Sequence, residues 1–169
     1  MALLRAVNVG KRRVAMADLR ALLESLGYEH VRTYVNSGNA VFHGPDSVRA
    51  EALEASLEQR FGFAVSVALR TGAQLERVLE VNPFPDRSDV CHVGFLCRAP
   101  RRADVTALAA SSFHPEAVEV IGTEAYLLLP AGVGRSTLPQ HVDGALGAMT
   151  LRNLRTVDAL AAMARDAGP

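Results

Sequence analysis

The sequence predicts an α+β protein made of two ferredoxin-like (split β-α-β) halves related by structural duplication. Up to residue 70, strand and helix patterns follow one another in the order β-α-β-β-α-β, which is the order of a split βαβ unit. A similar order recurs after the turn-rich segment Asn82–Ser88, whose prolines interrupt regular structure. We therefore expect one half at residues 1–81, a Pro-rich linker at 82–89 and a second half at 90–169.

The hairpin of the first half is the element from which the others are placed. Two β-prone runs, Val31–Val35 and Ala40–Phe42, flank the tetrapeptide Asn36–Asn39. Valine, threonine, tyrosine and phenylalanine favour a pleated, half-buried surface. Glycine and asparagine tolerate the positive φ angles of a tight turn. The pattern therefore predicts a strand, a turn and a second strand in direct succession.

The other patterns of the first half are apolar runs and helical stripes. Gly27 and Gly62 end the two long stripes, and Asp46 or Ser47 is placed to cap the second of them. The strands and helices predicted before residue 71 cover residues 2–7, 16–26, 31–35, 40–42, 50–61 and 63–70.

The second half repeats this order more weakly. Thr71 and Gln74 have the spacing of a capping box and predict a short helix before the linker. The segment Val67–Thr71 resembles Met149–Asn153, and each segment leads into a helical stripe. Beyond the linker, the predicted strands and helices cover residues 90–97, 103–110, 117–121, 124–129, 137–146, 150–152 and 154–164.

The charge balance disfavours nucleic acid and membranes as partners. The chain has 18 basic and 18 acidic residues, so it has no general attraction to phosphates or anionic lipids. Sheets of this topology carry RNA-recognition domains, but those need exposed aromatic residues on the central strands, and Leu3–Val7 has none. No apolar run approaches the about 20 residues of a membrane-spanning helix.

The two cysteines indicate a reducing compartment. If Cys91 and Cys97 share one strand, they lie about 20 Å apart at about 3.3 Å per residue. A disulfide requires Cα atoms within about 7 Å. Free thiols, together with the lack of a signal-peptide pattern at residues 1–9, predict a cytoplasmic protein.

The predicted topology also gathers polar residues at one sheet edge. In a split βαβ unit the first two strands run parallel, so the end of the first strand lies beside the hairpin turn. Asn8 should therefore lie near Asn36, Ser37 and Asn39, with the basic triplet at residues 11–13 close by. These amides, hydroxyl and cations could bind a small polar or anionic ligand. The simpler interpretation is a tight turn beside a solvated basic loop.

Two arginines and a fourth asparagine complete the candidate ligand site. Arg5 interrupts an apolar strand and requires a partner, for which Asp18 is one candidate. Arg152 and Asn153 end the last strand in a similar way. Asn153 is most simply the N-cap of the final helix.

No pattern indicates a metal or a cofactor. The five histidines are scattered without metal-ligand spacing, and neither a phosphate-binding glycine loop nor a nucleophile elbow is present. We therefore expect neither a metal nor a cofactor, and no catalytic residue is assigned.

Short motifs spread over nearly the whole chain resemble those of one known family. The motifs are Arg5–Gly10, Met16–Leu19, Gly27-Tyr28, Arg32–Tyr34, Ser37–Asn39, Asn82–Phe84, Thr150–Asn153 and Thr156-Val157. Together they are similar to the bacterial domain of unknown function 1697 family. That resemblance implies a two-part α+β fold with ferredoxin-like halves and no established activity. The family usually has tryptophan at the position of Leu154, so the resemblance does not extend to any role of that tryptophan.

Three functional hypotheses remain open from the sequence. The leading one is a cofactor-independent cytosolic protein that binds a small polar or anionic ligand. The second is a nucleic-acid-binding module, and the third is an interaction scaffold without a small-molecule site. The oligomeric state is not indicated by any pattern.

Overall fold

The computed structural model describes residues 1–10, 12–45 and 47–166. Within them the chain forms a mixed α+β structure of two four-stranded antiparallel sheets and six α-helices. The strands are β1 (Ala2–Leu4), β2 (Glu29–Tyr34), β3 (Asn39–His43), β4 (Val67–Leu69), β5 (Cys91–Leu96), β6 (Ala117–Ile121), β7 (Glu124–Leu128) and β8 (Met149–Asn153). The helices are α1 (Met16–Ser25), α2 (Ala50–Phe61), α3 (Gly72–Glu80), α4 (Arg102–Ala109), α5 (Leu138–Leu146) and α6 (Leu154–Asp166).

The two sheets have the same strand order. The first sheet runs β2-β3-β1-β4, and the second runs β6-β7-β5-β8. All neighbouring strands are antiparallel. In each sheet the first strand in sequence lies between the third and the fourth, so its end adjoins the hairpin turn that precedes the third strand.

One face of each sheet packs against its own pair of helices. On the first sheet, every second side chain of β1, β3 and β4 lies on this face and packs against α1 and α2. The helices contribute Leu19, Leu23, Leu53 and Leu57 to this core. On the second sheet the corresponding face packs against α4 and α5 through Leu108, Leu138, Val142 and Leu146.

The opposite faces of both sheets share a third core with α3 and α6. Its buried members are Leu3, Val41, Ala68, Leu75, Val78, Cys91, Val93, Phe95, Tyr126, Val157, Leu160 and Ala161. The Tyr126 hydroxyl donates a hydrogen bond to the Val78 carbonyl oxygen at 2.9 Å, which ties the second sheet to α3. Because residues of both sheets contribute to one core, separating the sheets would expose apolar surface on each of them.

Several local signals of the sequence are confirmed. The capping box of Thr71 and Gln74 begins α3. Gly62 ends α2 in the left-handed region, with φ of 77°. A short 3-10 helix at Pro85–Arg87 lies within the segment 82–89, whose role as a linker stays a prediction. The predicted cap of α2 is wrong at Ser47, since the N-cap residue is Arg49; Asp46 lies outside the described residues.

Two predicted strands are shorter than expected. β1 ends at Leu4 instead of residue 7, because Ala6 and Asn8 adopt positive φ angles of 52° and 59°, outside the β region. β4 is confined to Val67–Leu69 rather than residues 63–70. Arg5 therefore lies just beyond β1, and the segment after it bends towards the β2–β3 turn.

Gly38 allows this bend to pack against the turn. Its φ is 72°, and a Cβ atom there would lie 2.4 Å from Val7 Cγ2 and 2.8 Å from Leu4 Cβ. Gly122, in the β6–β7 turn, has a similar φ of 65°, but the nearest atom to its Cβ position is Glu124 Oε2 at 3.8 Å. The two turns thus share the same backbone requirement and differ in the space that they leave.

Replacing each glycine with alanine separates these two effects. We expect Gly122→Ala to lower the free energy of unfolding by about 1 kcal/mol through its positive φ alone. Gly38→Ala should lower it by roughly 3 kcal/mol, because Val7 and Leu4 must also move. Urea denaturation of both variants measures the difference. Equal losses would show that Val7 and Leu4 do not restrict the turn.

Candidate functional site

The predicted polar edge exists, and Asn8 holds it together. The Asn8 side-chain amide donates to the Asn36 carbonyl oxygen at 2.9 Å and to the Val14 carbonyl oxygen at 3.0 Å. Its Oδ1 accepts a hydrogen bond from the Val14 backbone N–H at 2.9 Å. Both donors of the amide are therefore used within the protein, and they fasten the loop after β1 to the β2–β3 turn.

Arg152 holds the same edge from the second sheet. Its Nε donates to Asn39 Oδ1 at 2.6 Å, and its other N–H groups donate to oxygen atoms of four further residues. These acceptors are Thr150 Oγ1 at 2.7 Å and the carbonyl oxygens of Leu151 at 2.8 Å, Ser37 at 2.9 Å and Leu4 at 3.1 Å. All five guanidinium donors are thus occupied. Burial lowers the pKa of Arg152 to about 10.

Arg70 makes the reciprocal contacts from the first sheet to the second. It follows β4 directly, and its Nε donates to Glu124 Oε1 at 2.6 Å. Its Nη2 donates to the carbonyl oxygens of Leu96 and Thr123, each at 3.1 Å. Leu96 ends β5 as Leu4 ends β1, and Glu124 begins β7 as Asn39 begins β3. Each arginine therefore binds the same places on the opposite sheet.

A second reciprocal pair of contacts also joins the two sheets. Arg5 forms a salt bridge with Asp143 of α5 at 3.0 Å, and Arg98 forms one with Glu54 of α2 at 2.8 Å. Each carboxylate also accepts a backbone hydrogen bond from the first residue of the last strand of its own sheet. Asp143 accepts from Met149 of β8, and Glu54 accepts from Val67 of β4. Each carboxylate thus joins a helix, a strand and an arginine of the other sheet.

The partner predicted for Arg5 is therefore wrong. Asp18 lies on α1 and pairs with the exposed Arg60 at 3.4 Å. No residue pattern indicates Asp143 as the partner, because it lies on helix α5 of the other sheet, far away along the chain.

The two central arginines differ in one respect. Arg70 is paired with the Glu124 carboxylate, whereas Arg152 forms no ion pair with any carboxylate in the described part of the chain. Asn39 occupies the place that corresponds to Glu124. Its Nδ2 donates to Ser37 Oγ at 2.7 Å and to the Tyr34 carbonyl oxygen at 3.2 Å, which a carboxylate could not do. Asn39 thus closes the turn and binds the arginine at once.

The side chains of the remaining predicted residues lie apart from this network. Asn153 caps α6, since its Oδ1 accepts a hydrogen bond from the Thr156 backbone N–H at 2.8 Å. The Asn36 residue is exposed. The Arg12 guanidinium lies 5.5 Å from the centre of the Phe63 ring, and Lys11 lies outside the described residues.

Sequence reasoning missed Arg70, although a signal for it was present. The match between Val67–Thr71 and Met149–Asn153 places Arg70 in the position of Arg152. Its contacts with Leu96, Thr123 and Glu124 then follow from the shared strand order of the two sheets. What the match could not show is that the two arginines cross to opposite sheets.

A well-formed cavity lies at the other end of the β2–β3 hairpin. It is a cavity of about 580 Å³ between β3, the residues Gly44, Pro45 and Val48, the start of α3 and the end of α6. Polar atoms come from His43, Arg70, Thr71 and Gln74. The apolar wall consists of Met1, Val41, Phe42, Pro45, Val48, Leu69 and Ala164. A second, more open cavity of about 450 Å³ includes Leu154 in its wall.

The helices in the part of the chain that the structure describes do not meet the requirements for crossing a membrane. None of its helices combines the length and the apolarity that a membrane span requires.

Comparison with known proteins identifies relatives of the chain but no activity. The family model described as "Protein of unknown function (DUF1697)" matches residues 1–126. The solved structure of the conserved bacterial protein SP0830 from Streptococcus pneumoniae is similar, with a TM-score of 0.76 and 25% sequence identity. The match covers 97% of this chain and 96% of that chain. No curated protein matches the chain.

The two asparagines of the edge should respond differently to truncation. Asn8→Ala removes three side-chain hydrogen bonds at a positive φ, so we expect it to lower the free energy of unfolding by about 2 kcal/mol or more. Asn36→Ala leaves the carbonyl that Asn8 binds and should change stability by less than about 0.5 kcal/mol. Thermal and urea unfolding of both variants checks this. A larger loss for Asn36→Ala would mean that its side chain holds the turn.

Arg152 should not be replaceable by lysine. An ammonium group offers three donors from one point and cannot reach acceptors on both sheets, so Arg152→Lys should cost at least about 2 kcal/mol of stability. Arg155→Lys, at an exposed position, is the matched control and should stay within about 0.5 kcal/mol. If both variants unfold at the same urea concentration, Arg152 does not join the sheets.

Proposed function

Because the chain belongs to the DUF1697 family of proteins of unknown function, we propose a function from its own geometry: it binds a small organic molecule that carries a polar or anionic group. The observation that supports this most is the cavity of about 580 Å³ beside β3 and α3. Its volume lies within the about 300–1,000 Å³ of typical small-molecule sites. Its wall combines a continuous apolar part with a few polar groups, as such sites do.

Arg70 supports placing the ligand in the cavity rather than at the turn. Four of its donor contacts are formed, to Glu124, Leu69, Leu96 and Thr123, which leaves one Nη1 hydrogen without a partner among the described residues. Arg152 has no such donor left. The wall of the cavity therefore includes a guanidinium residue, an imidazole residue and a side-chain amide residue next to an apolar surface. That combination suits a carboxylate or phosphate ester with an apolar body.

The predicted edge remains the second place for such a ligand. Of the residues assigned to it, Asn8, Ser37, Asn39 and Arg152 bind one another or the backbone, and Arg5 binds Asp143. The exposed Asn36 side chain and the basic loop remain for a ligand there. This is less than the cavity offers.

We also propose that each sheet with its helices is a ferredoxin-like unit and that the units, residues 1–81 and 90–169 with the linker 82–89, arose by duplication. The shared strand order and the reciprocal contacts of Arg70 and Arg152 support this.

The buried central strands speak against RNA recognition on a sheet face, since Phe95 and Tyr126 are enclosed by helices. A cytoplasmic location is supported by the free thiols of Cys91, whose pKa burial raises to about 11, and Cys97.

A ligand panel with cavity variants tests the proposal. The panel consists of aromatic and aliphatic carboxylates and phosphate monoesters, measured by thermal shift. A compound at about 100 times its Kd should stabilise the protein by about 2.7 kcal/mol, which raises the Tm by several degrees. Val48→Trp fills the cavity and should abolish the shift, whereas Ser47→Trp adds the same ring at an exposed position of the loop and should keep it.

Two outcomes would contradict the placement. A shift that survives Val48→Trp but disappears in Asn36→Ala would move the ligand to the turn edge. A panel in which no compound shifts the wild-type protein would remove the support for ligand binding by this class and favour a scaffold.

A further inference from the structure

Two histidines meet across the β2–β3 hairpin, at the end away from the turn. The ring centres of His30 and His43 are 5.1 Å apart, and the ring planes are inclined by 72°. Neither ring forms a hydrogen bond with the described residues. His43 is half-buried in the wall of the cavity, and His30 is exposed. Their ring nitrogens are therefore accessible from solvent and without protein partners in the described chain.

A β-bulge brings His30 to this position. The register of β2 against β3 shifts between Glu29 and Arg32, and His30 within the shift has a φ of 53°. Non-glycine residues seldom adopt a positive φ, and bulges redirect side chains at sheet edges. Such a conformation is held by its surroundings and often marks a functional position. Here the redirected side chain is the one that reaches His43.

The distance between the rings fits a shared metal ion. A zinc ion lies about 2.0–2.1 Å from a coordinating imidazole nitrogen, which places it about 3.2 Å from the centre of the ring. Two such rings at a tetrahedral angle have centres about 5.2 Å apart. The observed 5.1 Å matches this separation. An edge-to-face contact of two aromatic rings tolerates a wider range, about 4.5–7 Å.

We propose that His30 and His43 form a binding site for a late first-row divalent ion, with one imidazole nitrogen from each residue. This goes beyond the proposed ligand binding and does not depend on it. No group of three or more His, Cys, Asp or Glu side chains in the described residues is placed to hold a metal. Water completes the coordination, so the site is open and exchangeable rather than structural.

The donor set determines which ions bind. Two neutral imidazoles favour Cu²⁺ most strongly and then Ni²⁺ and Zn²⁺, according to the usual order of affinities. Mg²⁺ and Ca²⁺ prefer oxygen ligands and should not bind.

Calorimetric titration of the tag-free protein with CuCl2, ZnCl2 and MgCl2 tests the site. The wild-type protein should bind one Cu²⁺ with high occupancy, Zn²⁺ more weakly and Mg²⁺ not at all. His30→Gln and His43→Gln should each weaken Cu²⁺ binding by at least about tenfold. The copper electron paramagnetic resonance spectrum should show two nitrogen ligands in the wild type and one or none in either variant.

His141→Gln is the matched control, because His141 packs edge-to-face on Phe113 with ring centres 5.3 Å apart and has no second imidazole there. It should leave Cu²⁺ binding unchanged. The proposal is overturned if the wild type binds Cu²⁺ no better than His30→Gln, if His141→Gln weakens binding equally, or if Mg²⁺ binds with similar affinity. Should His43→Gln fail to fold by circular dichroism, the exposed His30→Gln decides alone.

Discussion

The desolvated guanidinium of Arg152 is the constraint on which the arrangement of the two sheets depends. A largely desolvated cation is costly unless its donors are satisfied, and no carboxylate in the described chain pairs with the half-buried Arg152. Its donors therefore require oxygen atoms from β1, from the turn before β3 and from β8 at the same time. A shift of either sheet would leave a half-buried charge with missing partners. The end of Leu4, the turn and the last strand are consequently fixed as one unit.

The counterpart of this interaction shows how two similar sheets acquire different surroundings. Arg70 meets Glu124, which balances its charge; one of its Nη1 hydrogens has no partner among the described residues, and the residue lines the cavity. Arg152 meets Asn39, which uses its amide to close the turn and leaves no donor free. The pair with the carboxylate thus borders open space, while the pair with the amide is closed. Two sheets with the same strand order therefore form a fully paired contact at Arg152 and a candidate binding surface at Arg70.

The β2–β3 hairpin connects these two regions. Its turn end carries Gly38 and the residues that bind Asn8 and Arg152, so the chemistry there is used to hold the fold. Its opposite end carries the bulge, the His30–His43 pair and the wall of the cavity. The side-chain N–H donors of Asn8, Asn39 and Arg152 at the turn end are all used within the protein, whereas the two histidines at the open end keep ring nitrogens without partners in the described chain. Function is therefore expected at the end that stability does not use.

The sequence by itself determined the local features, because they depend on neighbours within a few positions. The order of the elements, the capping box at Thr71 and the cap at Asn153 could be read from residue types and spacing. Tertiary structure alone decided the partner of Arg5, since Asp143 comes close only when the second sheet packs against the first. Tertiary structure alone also decided the partners of Arg152 and the contact between His30 and His43. That contact requires a β-bulge, which no residue pattern predicts. Long polar and charged side chains pair with the groups that the fold places next to them. Because those groups come from distant parts of the chain, the spacing of residues in the sequence does not predict the pairs.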